Sequence, residues 1–221
     1  MNLSRELKRV KCFDLVSFDV FDTLILRTVL HPKDIFYLTG MSVLKSPSEA
    51  QKFQSARILA EHAARKKSLT GEVNIDDIYC SLEGYAKGIC EQLKDAELRV
   101  EMDSCVPRNE VVKLFKALID SGKNVVLISD MYLSSAFIKR MLEKCGIVGM
   151  KDTFVSNEYG CDKRSGKLFL EAQKNVKIFN GKHIHYGDSL KADFIGALKA
   201  RVKPRFVFKR HFAQMLWRKF V

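Results

Sequence analysis

The chain lacks any run of apolar residues long enough to cross a membrane, and its first residues lack the apolar core of a secretory signal peptide. Its six cysteines include no Cys-x-x-Cys pair and follow no regular spacing, which argues against a disulfide framework or a zinc site. Cys12 and Cys145 lie in apolar contexts. We therefore expect reduced, buried thiols and a cytoplasmic protein.

The sequence also lacks internal repeats, low-complexity segments and any pattern typical of an RNA-recognition motif or a zinc finger, so we expect no nucleic-acid partner. Acidic residues are outnumbered, with 26 Asp and Glu against 38 Lys and Arg, for a formal net charge of +12. A protein with such an excess of positive charge attracts anions, including phosphorylated metabolites. Residues 209–221 mix cations with aromatic and apolar residues. They predict an amphipathic helix that packs on the protein or contacts a membrane surface or another protein.

Short apolar runs that end in polar residues are the main feature that is present. They end at Asp19, Ser129 and Asp188. A strand that ends in Asp19 brings a nucleophilic oxygen to the edge where open α/β sheets bind ligands, although such a residue can also simply cap a turn. Strands that alternate with helices predict a parallel sheet with right-handed crossovers, so these three residues fall at the same edge.

Four segments, taken together, resemble the motifs of the haloacid dehalogenase (HAD) superfamily over residues 13–208. They read FDVFDTL (18–24), NVVLISDM (124–131), DKRSGKLF (162–169) and HIHYGDSLKAD (183–193). The resemblance implies an α/β fold, a HAD-like Rossmannoid parallel sheet flanked by helices, with an α-helical cap inserted after the first strand. It also implies a core of residues 1–26 and 107–221 and a cap of residues 27–106. In the cap, helices are expected at 32–37, 47–67, 75–90 and 91–101, and in the core a helix is expected at 190–198 and a strand at 205–208.

The resemblance implies a phosphatase in which Asp19 attacks phosphorus and forms an aspartyl-phosphate. Ser129 would donate a hydrogen bond to phosphate, helped by the backbone N–H groups after it, and Lys163 would bind both phosphate and Asp19. Lys167, four residues later, is the alternative lysine. Further candidate contacts to phosphate or substrate are Thr23, Asp130 and Arg27, with Arg57, His62 and Arg65 as candidates in the cap.

A magnesium site is the second implication. Asp19, Asp188, Asp193 and the backbone carbonyl of Phe21 would supply oxygen ligands, which suit Mg²⁺. Carboxylates that converge without a cation would repel one another and raise their own pKa values. His183 and His185 alternate along a strand, but a structural role is the better interpretation than a metal pair.

One departure from the family pattern leaves two activities open. HAD phosphatases usually carry an acid–base Asp two positions after the nucleophile, where this chain has Phe21, and the carboxylate follows at Asp22. An aromatic residue at that position is also found in haloalkanoic acid dehalogenases, whose leaving group needs no proton. Dehalogenases need no metal, however, so Asp188 and Asp193 favour a Mg²⁺-dependent phosphatase with Asp22 as acid and base. A metal-independent 2-haloacid dehalogenase and a catalytically weak binding module remain as alternatives.

The wording of the motifs looks like that of a HAD-like subgroup associated with glycosyltransferases and surface-polysaccharide synthesis. That resemblance implies a phosphorylated sugar or polyol as the small substrate.

Overall fold

The computed structural model describes residues 2–177 and 182–208, in a chain that divides into two compact units. One unit comprises Met1–Leu26 and Val106–Val221, and the other comprises Arg27–Cys105. These boundaries lie within one residue of those expected for the core and the cap. The predicted amphipathic segment 209–221 lies outside the described residues.

Seven strands occur in the described residues. They are β1 Leu15–Phe18, β2 Ile25–Arg27, β3 Cys105–Pro107, β4 Asn124–Ser129, β5 Asp152–Val155, β6 His183–Gly187 and β7 Lys203–Phe206. Five of them form a parallel sheet in the order β5–β4–β1–β6–β7, flanked by helices, as the sequence predicts. The short strands β2 and β3 form a separate two-stranded sheet.

The register of the sheet brings the candidate site residues to one edge. Phe18 on β1 pairs with Leu127 on β4 and with Tyr186 on β6. Because all five strands run in the same direction, the residues that follow β1, β4 and β6 leave the sheet together at its C-terminal edge. Every residue of β1 is buried, which suits a central strand with both faces covered.

Ten α-helices and one π-helix are found in the described residues. They are α1 Leu3–Val10, α2 Asp34–Leu44, α3 Pro47–Lys67, α4 Ile75–Cys80, α5 Lys87–Asp103, α6 Asn109–Asp120, α7 Ser135–Lys144, α8 Ser156–Tyr159, α9 Lys167–Asn175, the π-helix Leu190–Ile195 and α10 Gly196–Lys199. Side chains define several starts: Ser46 caps α3, Ser134 caps α7 and Ser189 caps the π-helix.

The helical unit contains α2 to α5, and its centre is charged. Arg57 is fully buried on α3 and donates to both carboxylate oxygens of Glu97 on α5, each at 2.8 Å. Tyr79 donates to the same carboxylate at 2.8 Å, and the guanidinium lies 4.4 Å from the centre of the Phe36 ring. The buried charge is thus paired with a carboxylate and hydrogen-bonded to it, as burial requires.

Several element predictions were wrong in detail. The helix predicted over 75–90 ends at Cys80, because Gly84 adopts a φ of +85° in the break before α5 begins at Lys87. The strand predicted at 205–208 is β7, Lys203–Phe206, where Pro204 is tolerated because β7 is an edge strand. The helix predicted over 190–198 is a π-helix followed by α10.

Helix α1 was not predicted, and it packs through a buried carboxylate. Glu6 accepts a hydrogen bond from the Tyr186 hydroxyl at 2.9 Å and from Arg205 at 2.8 Å, and it pairs with Arg9 of its own helix. These contacts hold α1 against β6 and β7, the strands that lead to and flank Asp188.

The six cysteines are free thiols, but the expectation that Cys12 and Cys145 are buried was wrong. Cys12 is exposed, Cys145 is partly exposed, and Cys105 is the buried one. Within residues 2–177 and 182–208, no helix combines the length and the apolar character that a membrane span requires.

Candidate active site

The candidate nucleophile is held at the edge of the sheet by its backbone. Asp19 directly follows β1, and its N–H donates to the carbonyl oxygen of Tyr186 on β6 at 2.8 Å. Its side chain is buried, and Asp19 Oδ1 lies 2.5 Å from Lys163 Nζ. The carboxylate therefore faces an ammonium group rather than bulk solvent.

Lys163 bridges two carboxylates. Its buried Nζ lies 2.5 Å from Asp19 Oδ1 and 2.5 Å from Asp193 Oδ1. The backbone N–H of Lys163 donates to Asp130 Oδ1 at 2.9 Å, which holds the loop that carries it. Lys167, the alternative lysine, is exposed at the first position of α9. The structure thus brings Lys163, and not Lys167, to Asp19, and it gives the Asp130 carboxylate a contact to that loop.

Three acidic side chains meet beside this lysine. Asp19, Asp188 and Asp193 are all buried, and each offers an oxygen within 4.8 Å of the others. Thr23 is also buried, and its hydroxyl donates to Asp188 Oδ1 at 3.5 Å. The ammonium group of Lys163 therefore contacts two of these three carboxylates in a site that water barely reaches.

Asp193 is fixed through both of its oxygens. Oδ2 accepts the Ser189 N–H at 2.8 Å, and Oδ1 accepts from Lys163 and lies 3.1 Å from His185 Nε2. Gly187 makes room for this side chain, since a Cβ there would lie 2.3 Å from Asp193 Cγ. Asp193 is thus held firmly by neighbouring donors in the protein.

Burial and charge shift the pKa values of these groups in different directions. Burial raises the pKa of Asp19 well above its ordinary value, with Asp193 and Asp188 adding to the rise and Lys163 opposing it. Burial also acts to raise the pKa of Asp193, but Lys163 and His185 outweigh it and lower that pKa. For Lys163 burial acts to lower the pKa, and the two carboxylates raise it instead, so the side chain is an ammonium.

The candidate phosphate-binding loop follows β4. Ser129 is buried at the end of that strand, and residues 130–134 lead to α7. The Met131 N–H, one of the groups expected to help Ser129 bind phosphate, donates to Ser156 Oγ at 3.1 Å. Asn157 donates to the carbonyls of Met131 and Leu133 at 2.7 and 2.9 Å. Helix α8 therefore holds this loop in place.

The turn after the nucleophile has an unusual backbone. Asp22 adopts a φ of +60°, and the Arg108 guanidinium donates to its carbonyl oxygen at 2.7 Å and to that of Phe208 at 2.7 Å. Phe21 and Asp22 are each partly buried. Asp22 is not part of the group of three carboxylates.

Comparison with proteins of known structure shows which fold the chain has. No protein-family model and no curated protein matches the chain. A 2-haloacid dehalogenase from Pseudomonas syringae pv. tomato matches in structure with a TM-score of 0.63 and 19% identity, over 86% of this chain and 84% of that one. A HAD phosphatase from Thermococcus onnurineus matches with a TM-score of 0.62 and 18% identity, over 89% and 87%. The chain has the haloacid dehalogenase-like fold.

A magnesium-bound structure also shares the HAD-like fold. The putative HAD-hydrolase from Bacillus subtilis bound to magnesium matches with a TM-score of 0.58 and 17% identity, over 94% of this chain and all of that one. Structures described as dehalogenases and as a phosphatase are thus similar to the same HAD-like chain.

Three candidate substrate contacts, Arg27, Arg57 and Arg65, have other partners within the helical unit. Arg27 donates to both carboxylate oxygens of Glu101 at 2.9 Å, and Arg57 is the buried partner of Glu97. The prediction that Arg57 is a substrate contact was wrong, because its guanidinium is fully buried. Arg65 donates to Glu61 and to the carbonyl oxygen of Gly71.

Sequence reasoning missed the residues that support the site within the HAD-like core. These are Ser156, Asn157, Arg108 and Gly196. At Gly196 a Cβ would lie 2.0 Å from the carbonyl oxygen of Lys163, so only glycine lets α10 approach the lysine loop. The glycine was visible in the sequence as a signal of close backbone approach, but its partner is a loop thirty residues earlier.

Proposed function

We propose that the protein is a Mg²⁺-dependent hydrolase of phosphoric monoesters that forms an aspartyl-phosphate on Asp19. The observation that supports this most is the meeting of three buried carboxylates with a single ammonium group. Such a site carries a net negative charge that burial makes costly, and a divalent cation would neutralise it.

The donor set fits magnesium. Its atoms are carboxylate oxygens, the ligands that Mg²⁺ prefers, and they lie close enough together to share one ion. Asp19, Asp188 and Asp193 would hold the ion together with the backbone carbonyl of Phe21. When bound, the ion would neutralise charge on the phosphate oxygens.

The residues of the chain would carry the chemistry in two displacements. In the first, an Asp19 oxygen forms a bond to phosphorus, the bond from phosphorus to the alcohol oxygen breaks, and Asp22 gives that oxygen a proton. In the second, water attacks phosphorus and gives a proton to Asp22. The bond to Asp19 then breaks, which releases inorganic phosphate and restores both carboxyl groups. Lys163 and Ser129 would bind the equatorial phosphate oxygens throughout.

We propose a phosphorylated sugar or polyol in the cytoplasm as the substrate, in surface-polysaccharide synthesis. The wording of the four motifs supports this, and the net charge of +12 suits an anionic substrate. A panel of sugar and polyol phosphates, tested beside nucleoside monophosphates, checks this class directly. Preference for the nucleotides would contradict it.

Dehalogenation of a 2-haloacid is the second candidate, and Phe21 is the residue that favours it. In that reaction Asp19 would displace halide from carbon, and the departing halide would need no proton. The carboxylates Asp188 and Asp193 favour the phosphatase, because a reaction that needs no metal ion would leave them no ion to bind.

A single assay separates these functions. The full-length protein is supplied with phosphate monoesters or 2-haloacids, with Mg²⁺ or with a chelator, and released phosphate and halide are measured. We expect phosphate release that requires Mg²⁺ and that Asp19→Asn abolishes, because an amide cannot serve as the nucleophile. Asp95→Asn, an exposed carboxylate on α5, is the matched control and should keep full activity.

Halide release that persists in the chelator would establish the second candidate instead. Absence of both products from a protein whose circular dichroism and melting are those of a folded chain would reject both enzymatic functions and leave the binding module.

A further inference from the structure

A continuous row of polar side chains, half-buried at Gln173 and buried beyond it, leads from α9 to the candidate site. Gln173 Nε2 lies 3.3 Å from His183 Nδ1, and His183 Nε2 lies 2.7 Å from Ser17 Oγ. Ser17 Oγ lies 2.8 Å from His185 Nδ1, and His185 Nε2 lies 3.1 Å from Asp193 Oδ1. Ser17, His183 and His185 are at most 2% exposed, so water does not complete these hydrogen bonds.

Gln173 and His183, at the end of the row away from the candidate site, determine which atom carries each proton along it. Burial lowers the pKa of His183 to about 3, so its ring is neutral and carries one proton. The amide nitrogen of Gln173 is a donor, so His183 Nδ1 accepts and His183 Nε2–H donates to Ser17 Oγ.

The positions of the protons on Ser17 and His185 then follow from the number of protons that each side chain carries. Ser17 has one proton, and with its oxygen accepting from His183 it donates that proton to His185 Nδ1. His185 therefore carries its own proton on Nε2 and donates it to Asp193. Every donor has one acceptor, and all four ring nitrogens of the two histidines are occupied. The ring nitrogens of His183 and His185 are consequently not available to bind a metal ion.

We propose that Ser17 and His185 are positioning residues for the hydrolytic reaction, acting through Asp193 on Lys163. The proposal rests on the phosphatase function proposed above. His185 Nε2–H and Lys163 Nζ donate to the same oxygen of Asp193, and Lys163 reaches from there to Asp19. The row thus sets the orientation of the carboxylate that places the ammonium on the nucleophile.

The surroundings make the arrangement rigid. The Phe169 ring packs edge-on against His185, with centroids 4.8 Å apart, and Gly187 allows Asp193 to lie directly against β6. Supporting hydrogen bonds of this kind commonly change the activity of metal-assisted sites by about 10- to 100-fold when they are removed. The histidine pair, which the sequence indicates as merely structural, therefore acts on the chemistry.

The first test removes the central hydroxyl. Ser17→Ala leaves His183 Nε2–H without an acceptor and His185 Nδ1 without a donor. We expect kcat for a phosphate monoester to fall about tenfold with KM changed less than about twofold, because the substrate does not touch the row. Thr153→Val is the matched control, since it removes a buried hydroxyl of the same sheet for which the described residues offer no hydrogen-bond partner, and it should leave kcat unchanged.

The second test replaces His185 itself. His185→Gln keeps a donor toward Asp193 and should retain most of the activity that His185→Leu loses. An equal loss in both variants, or an unchanged kcat in Ser17→Ala, would overturn the proposal while the wild-type activity stands.

A spectroscopic measurement tests the proton order without relying on activity. In the wild-type protein at neutral pH, with ¹⁵N-labelled histidine, we expect the His185 proton on Nε2, and Ser17→Ala should shift it toward a mixture of tautomers. A proton on Nδ1 of wild-type His185 would overturn the proposal. Lack of turnover in the wild-type protein beside the expected tautomer would instead count against the phosphatase function.

Discussion

At the scale of single residues, the charge of Lys163 decides how the site holds together. A lysine that is 3% exposed would ordinarily lose its proton, but two carboxylates at 2.5 Å keep it charged. The exposed Lys167 has no comparable environment. The two lysines, four positions apart, therefore form a natural pair for comparison.

We expect Lys163→Met to lower kcat by about 10²- to 10³-fold, because it removes the positive charge that would stabilise the transferring phosphoryl group. Lys167→Met should change kcat by less than about twofold. Steady-state kinetics with a phosphate monoester provide the measurement, and urea unfolding verifies that both variants fold. A comparable loss in both variants would show that the buried ammonium has no special role.

Individual residues also show which parts of the candidate site could be predicted from the sequence and which could not. Asp19, Asp188 and Asp193 were predictable because each follows or lies near a strand end in a recognisable motif. Ser17 and His185 were visible in the sequence, but their hydrogen bond joins strands that are far apart along the chain. Nothing local distinguishes them from ordinary buried residues. Arg108 was missed for the same reason, since its partners are backbone carbonyls at Asp22 and Phe208.

At the scale of elements, close packing between α10 and the lysine loop positions the ammonium group. Gly196 begins α10 directly against Lys163, and Gly166 follows in the same loop with a φ of +88°. The loop has little room to move away, because the Lys163 N–H is also bonded to Asp130.

Gly196→Ala should disturb this contact, since its Cβ would lie 2.0 Å from a backbone carbonyl that cannot rotate aside. We expect a loss of about 1–3 kcal/mol in the free energy of unfolding, as for other overpacked sites, and a lower kcat. Urea unfolding and kinetics measure the two effects. Gly88→Ala, which adds a methyl group in open space on α5, is the control, and equal effects in both variants would refute the packing argument.

Elements differ in how far their sequence reveals them. Helix α3 is found over the predicted residues 47–67, because Ser46 caps it and Pro47 suits its first turn. Helices α1 and α8 were missed because both are short and tertiary contacts hold them, through Glu6 in one case and Ser156 and Asn157 in the other. Short helices draw most of their stability from such packing rather than from propensity.

At the scale of the whole molecule, buried neutral histidine makes stability depend on pH. The pKa of His183 is lowered to about 3 by burial, whereas an unfolded histidine has a pKa of about 6.5. Between these values the unfolded chain binds a proton that the folded chain does not. The stability that this group contributes is therefore fully present above about pH 6.5 and is lost as the pH falls toward 3.

We expect the free energy of unfolding to fall by about 2 kcal/mol from this group between pH 7 and pH 5. Urea unfolding at intervals across that range measures it. His183→Gln should flatten the slope, whereas His31→Gln, at an exposed histidine, should leave it as in the wild type. A slope that His183→Gln does not alter would contradict a buried neutral ring.

The position of β1 in the middle of the sheet has a consequence for biosynthesis. Leu15 pairs with Asn124 on one side and with His183 on the other, so β1 finds its neighbours only after both of these later segments have left the ribosome. Partners so distant along the chain slow folding, because a large loop must close before their contacts can form. The proposed nucleophile Asp19 is therefore synthesised well before the strands that will surround it.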